Sequence, residues 1–309
     1  MNKPRIVPIN IQNETEKLRA VVLGIPDDFG GVPLLGNCFD PQSKFHVRNG
    51  SFPKQAAVTS EMNALLEILD KHNVKIYRPN NVVGLNQVFA RDIGFVINDS
   101  FVVPNIIEER KEEVSALNLI LDLLDNSKIL NIPADCQVEG GDVIMHNNYV
   151  FIGVSDEEDF NRYQVARTNY AGFNFLKNTF SNYQFIAFEL NKSDSDPSSN
   201  TLHLDCCFQP IGKNMAIVSP DGFKKRSDVD LLIDIFGKEN ILLINTKEMN
   251  NMYSNVFSIS EQVIVSDKRF ERLNHWLIDN GFEVEAIAYN EISKMGGLFR
   301  CSTLPLERR

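Results

Sequence analysis

The residues best suited to chemistry lie far apart in this chain. Cys301 follows a double glycine and an arginine, His203 and Asp205 form a His-Leu-Asp motif, and Glu139 opens the run Glu-Gly-Gly-Asp. A cation beside a thiol favours the thiolate, which is the nucleophilic form. A lone cysteine with a distant histidine and carboxylates matches a nucleophile, its base and the groups that orient the base. The sequence therefore predicts that Cys301 is a catalytic nucleophile.

The accompanying groups indicate the kind of substrate. His203 is the natural proton shuttle because an unperturbed imidazole titrates near neutrality, and Glu139 is suited to orient it as the acid of a catalytic triad does. Asp92 and Asp205 have no role in this triad, and carboxylates that are buried need a positive partner. A planar guanidinium satisfies two carboxylates through paired N–H···O bonds, so attack on a guanidinium carbon is indicated. Only five histidines are present and none are paired at ligand spacing, so no metal or organic cofactor is predicted.

Alternating strand and helix patterns must position these residues. Strand–strand–helix–strand recurs with a period of roughly 45–60 residues, which is typical of repeat architectures. The first unit lacks its opening strand, and a leftover strand at 297–304 is expected to complete it beside the strand at 18–25, closing a ring. The site residues and Asn255 fall at or near the first strand of a unit, so they should meet at the axis. Helices are predicted over 53–73, 108–125, 157–178, 226–237 and 268–280.

The predicted fold class is therefore α/β, a five-bladed propeller of ββαβ units with a central active site. Because no linker composition divides the chain, we predict a single catalytic domain over residues 1–309. The polar run at 191–200 directly precedes His203 and is a candidate active-site lid.

Composition excludes several functional classes. The 309 residues are 43% hydrophobic and 23% charged, as in ordinary globular proteins, and the net charge of −10 argues against nucleic acid as a partner. No signal-peptide or transmembrane run is apparent, so a membrane partner is not expected. Five scattered cysteines form no disulfide or zinc pattern, which favours a cytoplasmic location. A small-molecule guanidino compound is the expected partner, and the assembly state stays open, with a homodimer as one option.

Four motifs carry a resemblance to a known superfamily. The chain resembles the guanidino-group-modifying enzymes, or penteins, which are five-bladed α/β propellers that include arginine deiminase, dimethylarginine dimethylaminohydrolase and amidinotransferases. The resemblance spans roughly residues 15–309 and keeps the family's motif order. The motifs are Asn86-Gln-Val-Phe-Ala-Arg-Asp92, Glu139-Gly-Gly-Asp142, His203-Leu-Asp205 and Gly296-Gly-Leu-Phe-Arg-Cys301.

The resemblance implies a role for each residue of the central set. Cys301 would form a covalent amidino-thioether intermediate with the substrate. His203 would protonate the leaving amine and then activate water. Glu139 would assist His203 and bind the guanidinium, with Asp92 and Asp205 completing the clamp.

Further residues have less specific expectations. Asn86 matches a position that contacts the substrate's amino-acid end, although capping a turn is an equal alternative. Arg167 resembles the arginine that binds the substrate carboxylate, and Arg110 is a second candidate; for both, a solvated ion pair is the alternative. Asp142 is expected to be a structural acceptor behind the site. Arg300 either tunes the thiol or bridges to a buried carboxylate.

The resemblance also implies the reaction class. Hydrolytic members resemble this chain at Glu139, whereas transferases tend to present an aspartate there. We therefore expect a hydrolase of arginine or an N-substituted arginine that yields citrulline plus ammonia or an alkylamine. The alternatives are an amidinotransferase that passes the amidino group to an amine, and a non-catalytic ligand-binding propeller.

Overall fold

Strand pairing follows one rule throughout the computed structural model, which describes residues 6–309. Within that range, fifteen strands form five three-stranded sheets. In each sheet the middle strand is antiparallel to one neighbour and parallel to the other. The predicted α/β class and the five repeated units are confirmed.

The secondary-structure elements are numbered in chain order. The strands are β1 (Leu18–Leu23), β2 (Lys75–Tyr77), β3 (Phe95–Ile97), β4 (Ser100–Val103), β5 (Ile129–Asn131), β6 (Val143–His146), β7 (Tyr149–Val154), β8 (Gln184–Glu189), β9 (Phe208–Ile211), β10 (Met215–Val218), β11 (Ile241–Leu243), β12 (Phe257–Ser258), β13 (Val263–Asp267), β14 (Glu283–Ile287) and β15 (Thr303–Arg308). The α-helices are α1 (Pro41–Arg48), α2 (Gln55–Lys71), α3 (Asn118–Leu121), α4 (Glu157–Arg162), α5 (Tyr170–Thr179), α6 (Arg226–Phe236), α7 (Thr246–Asn250), α8 (Glu271–Asp279) and α9 (Asn290–Ser293).

The last strand of the chain completes the first sheet. β15 pairs antiparallel with β1, from Leu18 opposite Arg308 to Leu23 opposite Thr303. β1 in turn pairs parallel with β2, so this sheet repeats the pattern of the other four. The ring is therefore closed by the strand that the sequence left over, as predicted.

The site residues lie in turns near the first strands, and the predicted strand over 297–304 is corrected because Cys301 lies outside it. Residues Gly140–Asp142 and Leu204–Cys206 are single 3₁₀ turns before β6 and β9. Cys301 also lies in a turn, and β15 begins only at Thr303, because the amide of Thr303 donates to the carbonyl of Arg300. Local i to i+3 hydrogen bonds thus replace ladder bonds in these segments. The polar side chains consequently lie at the entrances of the first strands.

Two predicted helices also differ from the structure. The stretch 108–125 is a 3₁₀ helix, Glu108–Leu117, followed by the short α3. The stretch 157–178 divides into α4 and α5, because the Asn169 side chain caps a new helix by accepting the amide of Gly172. Arg167 therefore lies in an irregular connection, not on a helix.

The apolar core fills the space between the sheets and the helices. α2 shows the pattern, since Val58, Met62, Leu65 and Leu69 follow helical spacing and are fully buried. Fully burying side chains of this size contributes about 1.5–3 kcal/mol each. No helix within residues 6–309 combines the length and the apolar content needed to cross a bilayer. The single-domain assignment stays a prediction.

Candidate active site

A cavity of about 480 Å³ brings together residues from distant parts of the sequence. Its outer wall comes mainly from residues 29–40, including Phe29, Val32 and Leu34, and sequence reasoning did not single out this segment. The predicted site residues that line it are Cys301, His203, Asp92, Arg110, Arg167 and Asn86. The predicted site residues buried outside the lining are Glu139, Asp205, Arg300 and Asp142.

Cys301 is held by Asn255, which the sequence places with the other polar residues at the axis but to which it assigns no role. The Asn255 side-chain nitrogen lies 3.2 Å from Cys301 Sγ, and its oxygen accepts the backbone amides of Arg300 and Cys301 at 3.1 and 3.3 Å. The thiol itself lies 3.7 Å from Asp205 Oδ2. The only signal for Asn255 in the sequence is its position at the start of the fifth unit, where the other units carry site residues.

The unliganded environment favours the thiol form of Cys301, contrary to the expectation from the neighbouring arginine. Burial raises the pKa of Cys301 well above its usual value, and the nearby carboxylates of Asp205 and Asp92 raise it further. Arg300 does not offset this, because its guanidinium binds Asp205 Oδ2 at 2.9 Å and Glu14 Oε1 at 2.9 Å. Two carboxylates therefore neutralise the cation before it can act on the thiol.

His203 lies between two carboxylates. Its Nε2 atom is 2.9 Å from Glu139 Oε2, and its Nδ1 atom is 3.7 Å from Asp92 Oδ1. Burial lowers the pKa of His203, but the charge of Asp92 and the hydrogen bond to Glu139 outweigh burial and raise the pKa above its ordinary value. The ring is thus favoured as an imidazolium. The second glycine of Glu-Gly-Gly-Asp makes room for it, since a Cβ on Gly141 would lie 2.6 Å from His203 Nδ1.

Glu139 is fully buried and remains ionised. Its carboxylate accepts hydrogen bonds from Arg167 at 3.0 and 3.1 Å and from Arg110 at 3.4 Å, in addition to the contact with His203. Burial alone would raise the pKa of Glu139, but the charge of Arg167, the hydrogen bond to His203 and the charge of Arg110 hold that pKa well below its usual range.

Neither candidate arginine forms the solvated ion pair that was the alternative interpretation. Arg110 is 8% exposed and binds both oxygens of Glu113, a residue that sequence reasoning missed, and also Asp92 Oδ2 at 3.0 Å. Arg167 is 2% exposed; it donates to Glu139 and to two backbone carbonyls. Asp92 Oδ1 has no hydrogen-bond partner within residues 6–309. The site therefore combines two oriented cations with one buried carboxylate oxygen that has no hydrogen-bond donor in the part of the chain that the structure describes.

Asn86 and Asp142 each organise local backbone. The Asn86 oxygen accepts the amide of Val88 at 2.9 Å, so this side chain both caps a turn and lines the cavity. Asp142 accepts from the hydroxyl of Thr168 at 2.7 Å and from the amide of Leu204 at 2.9 Å. Because Leu204 follows the catalytic-candidate histidine directly, Asp142 ties two site segments together.

The polar run at 191–200, predicted as a lid, contributes no residue to the cavity wall. It is attached to the segments behind the site instead. Lys192 donates to the carbonyls of Thr201 and Leu202, both at 2.8 Å. Asp194 accepts the backbone amides of Gln164 and Val165 at 3.1 and 3.0 Å. The run therefore braces the site.

One cluster in the cavity has the ligand types of a metal site. Asp92, Glu139 and His203 each offer one atom, and these atoms lie within 4.8 Å of one another. The same carboxylates are ion-paired with Arg110 and Arg167, whose positive charges would repel a divalent cation. A singly charged group that shares the carboxylates through hydrogen bonds meets less of this repulsion than a divalent metal ion does.

Comparisons with known proteins agree with this fold. The model of the family described as "N,N dimethylarginine dimethylhydrolase, eukaryotic" matches residues 42–308. The Uncharacterized protein YkgA of Bacillus subtilis (strain 168) is 28% identical over 246 residues, which cover 79% of this chain and 78% of the relative. An arginine deiminase of Bacillus cereus (strain ATCC 10987 / NRS 248) is 24% identical over 305 residues, with 84% of this chain and 70% of the deiminase covered.

Solved structures are similar over nearly the whole chain. The N-terminal domain of ArgZ, an arginine dihydrolase from the ornithine-ammonia cycle in cyanobacteria, superposes with a TM-score of 0.77 at 16% identity, covering 94% of this chain and 98% of that domain. SxtG, an amidinotransferase from Microseira wollei, gives a TM-score of 0.74 at 18% identity and covers 98% of both chains. These likenesses establish the fold, and with the family match they confirm the resemblance seen in the sequence.

Proposed function

Since the chain belongs to the family described as "N,N dimethylarginine dimethylhydrolase, eukaryotic", within the pentein enzymes that act on guanidino groups, we propose that it is a cysteine-dependent hydrolase of arginine or an N-substituted arginine. The products are citrulline and either ammonia or an alkylamine. The observation that carries the proposal is the placement of Cys301, His203 and Asp92 around one cavity, with Asp205 in contact with the thiol.

The carboxylates define where the guanidinium binds. Asp92 lines the cavity and its Oδ1 atom has no hydrogen-bond donor within residues 6–309, and Asp205 Oδ2 lies 3.7 Å from Cys301 Sγ. A planar guanidinium donates in parallel to carboxylates, so binding to both acids brings its central carbon to the sulfur. This positioning supplies part of the rate acceleration by removing the entropic cost of the encounter.

Substrate binding also activates the nucleophile. Asp205 and Asp92 raise the pKa of Cys301 in the unliganded protein. A bound guanidinium cation offsets these two negative charges, so the pKa of the thiol falls in the complex and its proton is lost to solvent. The reactive thiolate therefore forms only when a cationic substrate is present.

The reaction then proceeds through a covalent intermediate. Cys301 Sγ attacks the guanidinium carbon and forms a C–S bond, and the C–N bond to the leaving amine breaks as the His203 imidazolium donates its proton to that nitrogen. The neutral imidazole next accepts a proton from water, whose oxygen attacks the same carbon. The C–S bond breaks, the hydroxyl proton of the tetrahedral species passes to the departing sulfur or to solvent, and a neutral ureido product remains. Glu139 keeps the imidazole oriented and stabilises its cationic form.

The two arginines of the cavity are proposed to bind the amino-acid part of the substrate. Arg110 and Arg167 line the cavity with guanidinium groups held in place by carboxylates and backbone carbonyls, which suits a fixed site for a substrate carboxylate. Asn86 lines the same cavity and is proposed to contact the amino-acid end.

A ureido-product assay tests the proposal. Purified protein is incubated with arginine, monomethylarginine, dimethylarginine, agmatine or guanidinoacetate, each with and without glycine as an acceptor. Ureido product without acceptor supports the hydrolase. Product that appears only with an acceptor replaces it with an amidinotransferase, and binding without turnover replaces it with a ligand-binding propeller.

Cys301→Ala tests the covalent step. We expect turnover to be abolished, because the covalent intermediate forms on Cys301 Sγ, while thermal unfolding stays close to that of the wild type. Cys136→Ser is the matched control, since Cys136 is another buried free thiol and lies outside the cavity wall. Substantial activity in the alanine variant would refute the covalent mechanism.

A further inference from the structure

Glu14 is a buried carboxylate that neither the motifs nor the family match includes. It precedes β1, lies outside the matched residues 42–308 and is 4% exposed. We propose that Glu14 is a positioning residue, which acts through Arg300 to set the orientation and charge of Asp205 and, through Asp205, the guanidinium affinity and the acidity of Cys301. The inference rests on the proposed function and deepens it.

The first line of evidence is the complete immobilisation of Arg300. Its Nη2 and Nε atoms donate to Glu14 at 2.9 and 3.4 Å, and its Nη1 atom donates to Asp205 Oδ2 at 2.9 Å. The carbonyls of Gly141 and Val143 accept the remaining N–H groups at 3.4 and 2.7 Å. All five donors of the guanidinium are therefore used, and Glu14 and Asp205 hold its opposite sides.

The second line of evidence is a second arginine on the same carboxylate. Arg91 Nη1 lies 3.6 Å from Glu14 Oε1, and the Arg91 backbone amide donates to the carbonyl of Cys301 at 3.0 Å. Arg91 directly precedes Asp92, as Arg300 directly precedes Cys301. Glu14 is thus the anion shared by the two cations that lie next in sequence to the nucleophile and to one acid of the clamp.

The electrostatic balance agrees with this arrangement. Burial would raise the pKa of Glu14, but the charges of Arg300 and Arg91 outweigh burial and lower the pKa to about 2. Burial and repulsion from Arg300 lower the pKa of Arg91 to about 9. Without Glu14, two like charges would face each other in the interior, and Arg300 would bind Asp205 as its only carboxylate.

Removing the charge should therefore change the chemistry as well as the stability. With Glu14 neutral, Arg300 holds Asp205 more tightly, so less negative charge remains available to a guanidinium. The same excess positive charge near the thiol lowers the pKa of Cys301. The titratable and charged groups that face Cys301 and enter this balance are Asp205, Asp92, Cys206, His203, Arg300 and Arg91.

The test compares Glu14→Gln with Glu16→Gln. Glu16 belongs to the same segment, is only partly buried and makes no side-chain hydrogen bond or ion pair within residues 6–309, so it is the matched control. The first readout is the pH dependence of Cys301 alkylation by iodoacetamide in the unliganded protein, followed by mass spectrometry of the Cys301 peptide. The second is KM and kcat for the substrate that the wild type turns over fastest.

For Glu14→Gln we expect the alkylation pKa of Cys301 to fall by about one pH unit and KM to rise about tenfold, with a smaller change in kcat. A purely structural role would lower the melting temperature and leave the alkylation pKa unchanged. Alkylation and KM values equal to those of Glu16→Gln would overturn the inference.

A second variant covers the case in which Glu14→Gln does not fold. Glu14→Asp keeps the charge but shortens the side chain by one methylene, so the alkylation pKa should stay at the wild-type value while KM rises, because the carboxylate no longer reaches both donor atoms of Arg300. An unchanged KM in this variant overturns the inference. If the wild type turns over no guanidino compound, the proposed function fails, whereas the alkylation readout still decides the role of Glu14.

Discussion

Replacing Glu139 with glutamine removes the negative charge that binds His203, Arg167 and Arg110. The carboxylate accepts from His203 at 2.9 Å, from Arg167 at 3.0 and 3.1 Å and from Arg110 at 3.4 Å. Glutamine preserves the shape and one acceptor oxygen but removes the negative charge. The substitution therefore isolates the electrostatic contribution of this group to the imidazole and to the two arginines.

The expected magnitudes follow from these contacts. A hydrogen bond to a charged group is worth about 1.5–3 kcal/mol, and one pKa unit corresponds to 1.36 kcal/mol, so the pKa of His203 should fall by about 1–2 units in Glu139→Gln. Arg167 loses the one carboxylate with which it forms an ion pair within residues 6–309. Leaving a buried charge without its partner costs about 3–5 kcal/mol, so the free energy of unfolding should fall by that order.

The pH dependence of stability has a defined sign. The pKa of His203 in the folded protein is raised above its unfolded value, so its interactions stabilise the fold fully below about pH 6.5 and lose this effect as the pH rises through the folded pKa. In Glu139→Gln the stabilisation that the Glu139 hydrogen bond gives to protonated His203 is absent. The difference in unfolding free energy between the wild type and the variant should therefore narrow as the pH rises. The portion of that difference that comes from the unpaired charge of Arg167 should remain.

The measurement is an NMR titration of the His203 ring, together with urea unfolding at pH 6 and pH 9. Glu113→Gln is the matched control, because Glu113 is also buried and binds Arg110 through both oxygens but makes no hydrogen bond to His203. It should lower stability and leave the His203 pKa in place. A His203 pKa in Glu139→Gln equal to the wild-type value would refute the reasoning.

Two further predictions concern groups outside the central set. Asp194→Ala removes the carboxylate that accepts the two backbone amides of the turn before Arg167. The free energy of unfolding in urea should fall by about 1–3 kcal/mol and KM should rise. Asp196→Ala is the control and should change neither quantity, because this carboxylate accepts only within its own loop. Gly141→Ala places a Cβ 2.6 Å from His203 Nδ1, so the imidazole must move and kcat should fall about 10²–10⁴-fold. Far-UV circular dichroism should show a retained fold. A kcat equal to that of the wild type would contradict the packing argument.

Local sequence patterns were sufficient to predict the architecture. Alternating apolar residues and helical spacing reflect which face of each element is buried, so the order of strands and helices can be read from the chain. The unpaired strand at the end of the chain predicted the closure between β1 and β15 for the same reason, since an apolar strand must be paired. The motif residues also lie around one cavity, because each occupies the equivalent position of a repeated unit.

The sequence by itself thus determined the repeated α/β units, their closure into a ring and the candidate set around Cys301. Only the tertiary structure decided that the motifs are turns before the strands, that residues 29–40 form the cavity wall while 191–200 do not, and which charges neutralise one another. Arg300 shows why: its neighbour in sequence is the thiol, yet it binds Glu14, which is 286 residues away. A buried ion must be paired with whatever opposite charge the fold brings within a few ångströms, and spacing along the chain does not contain that distance.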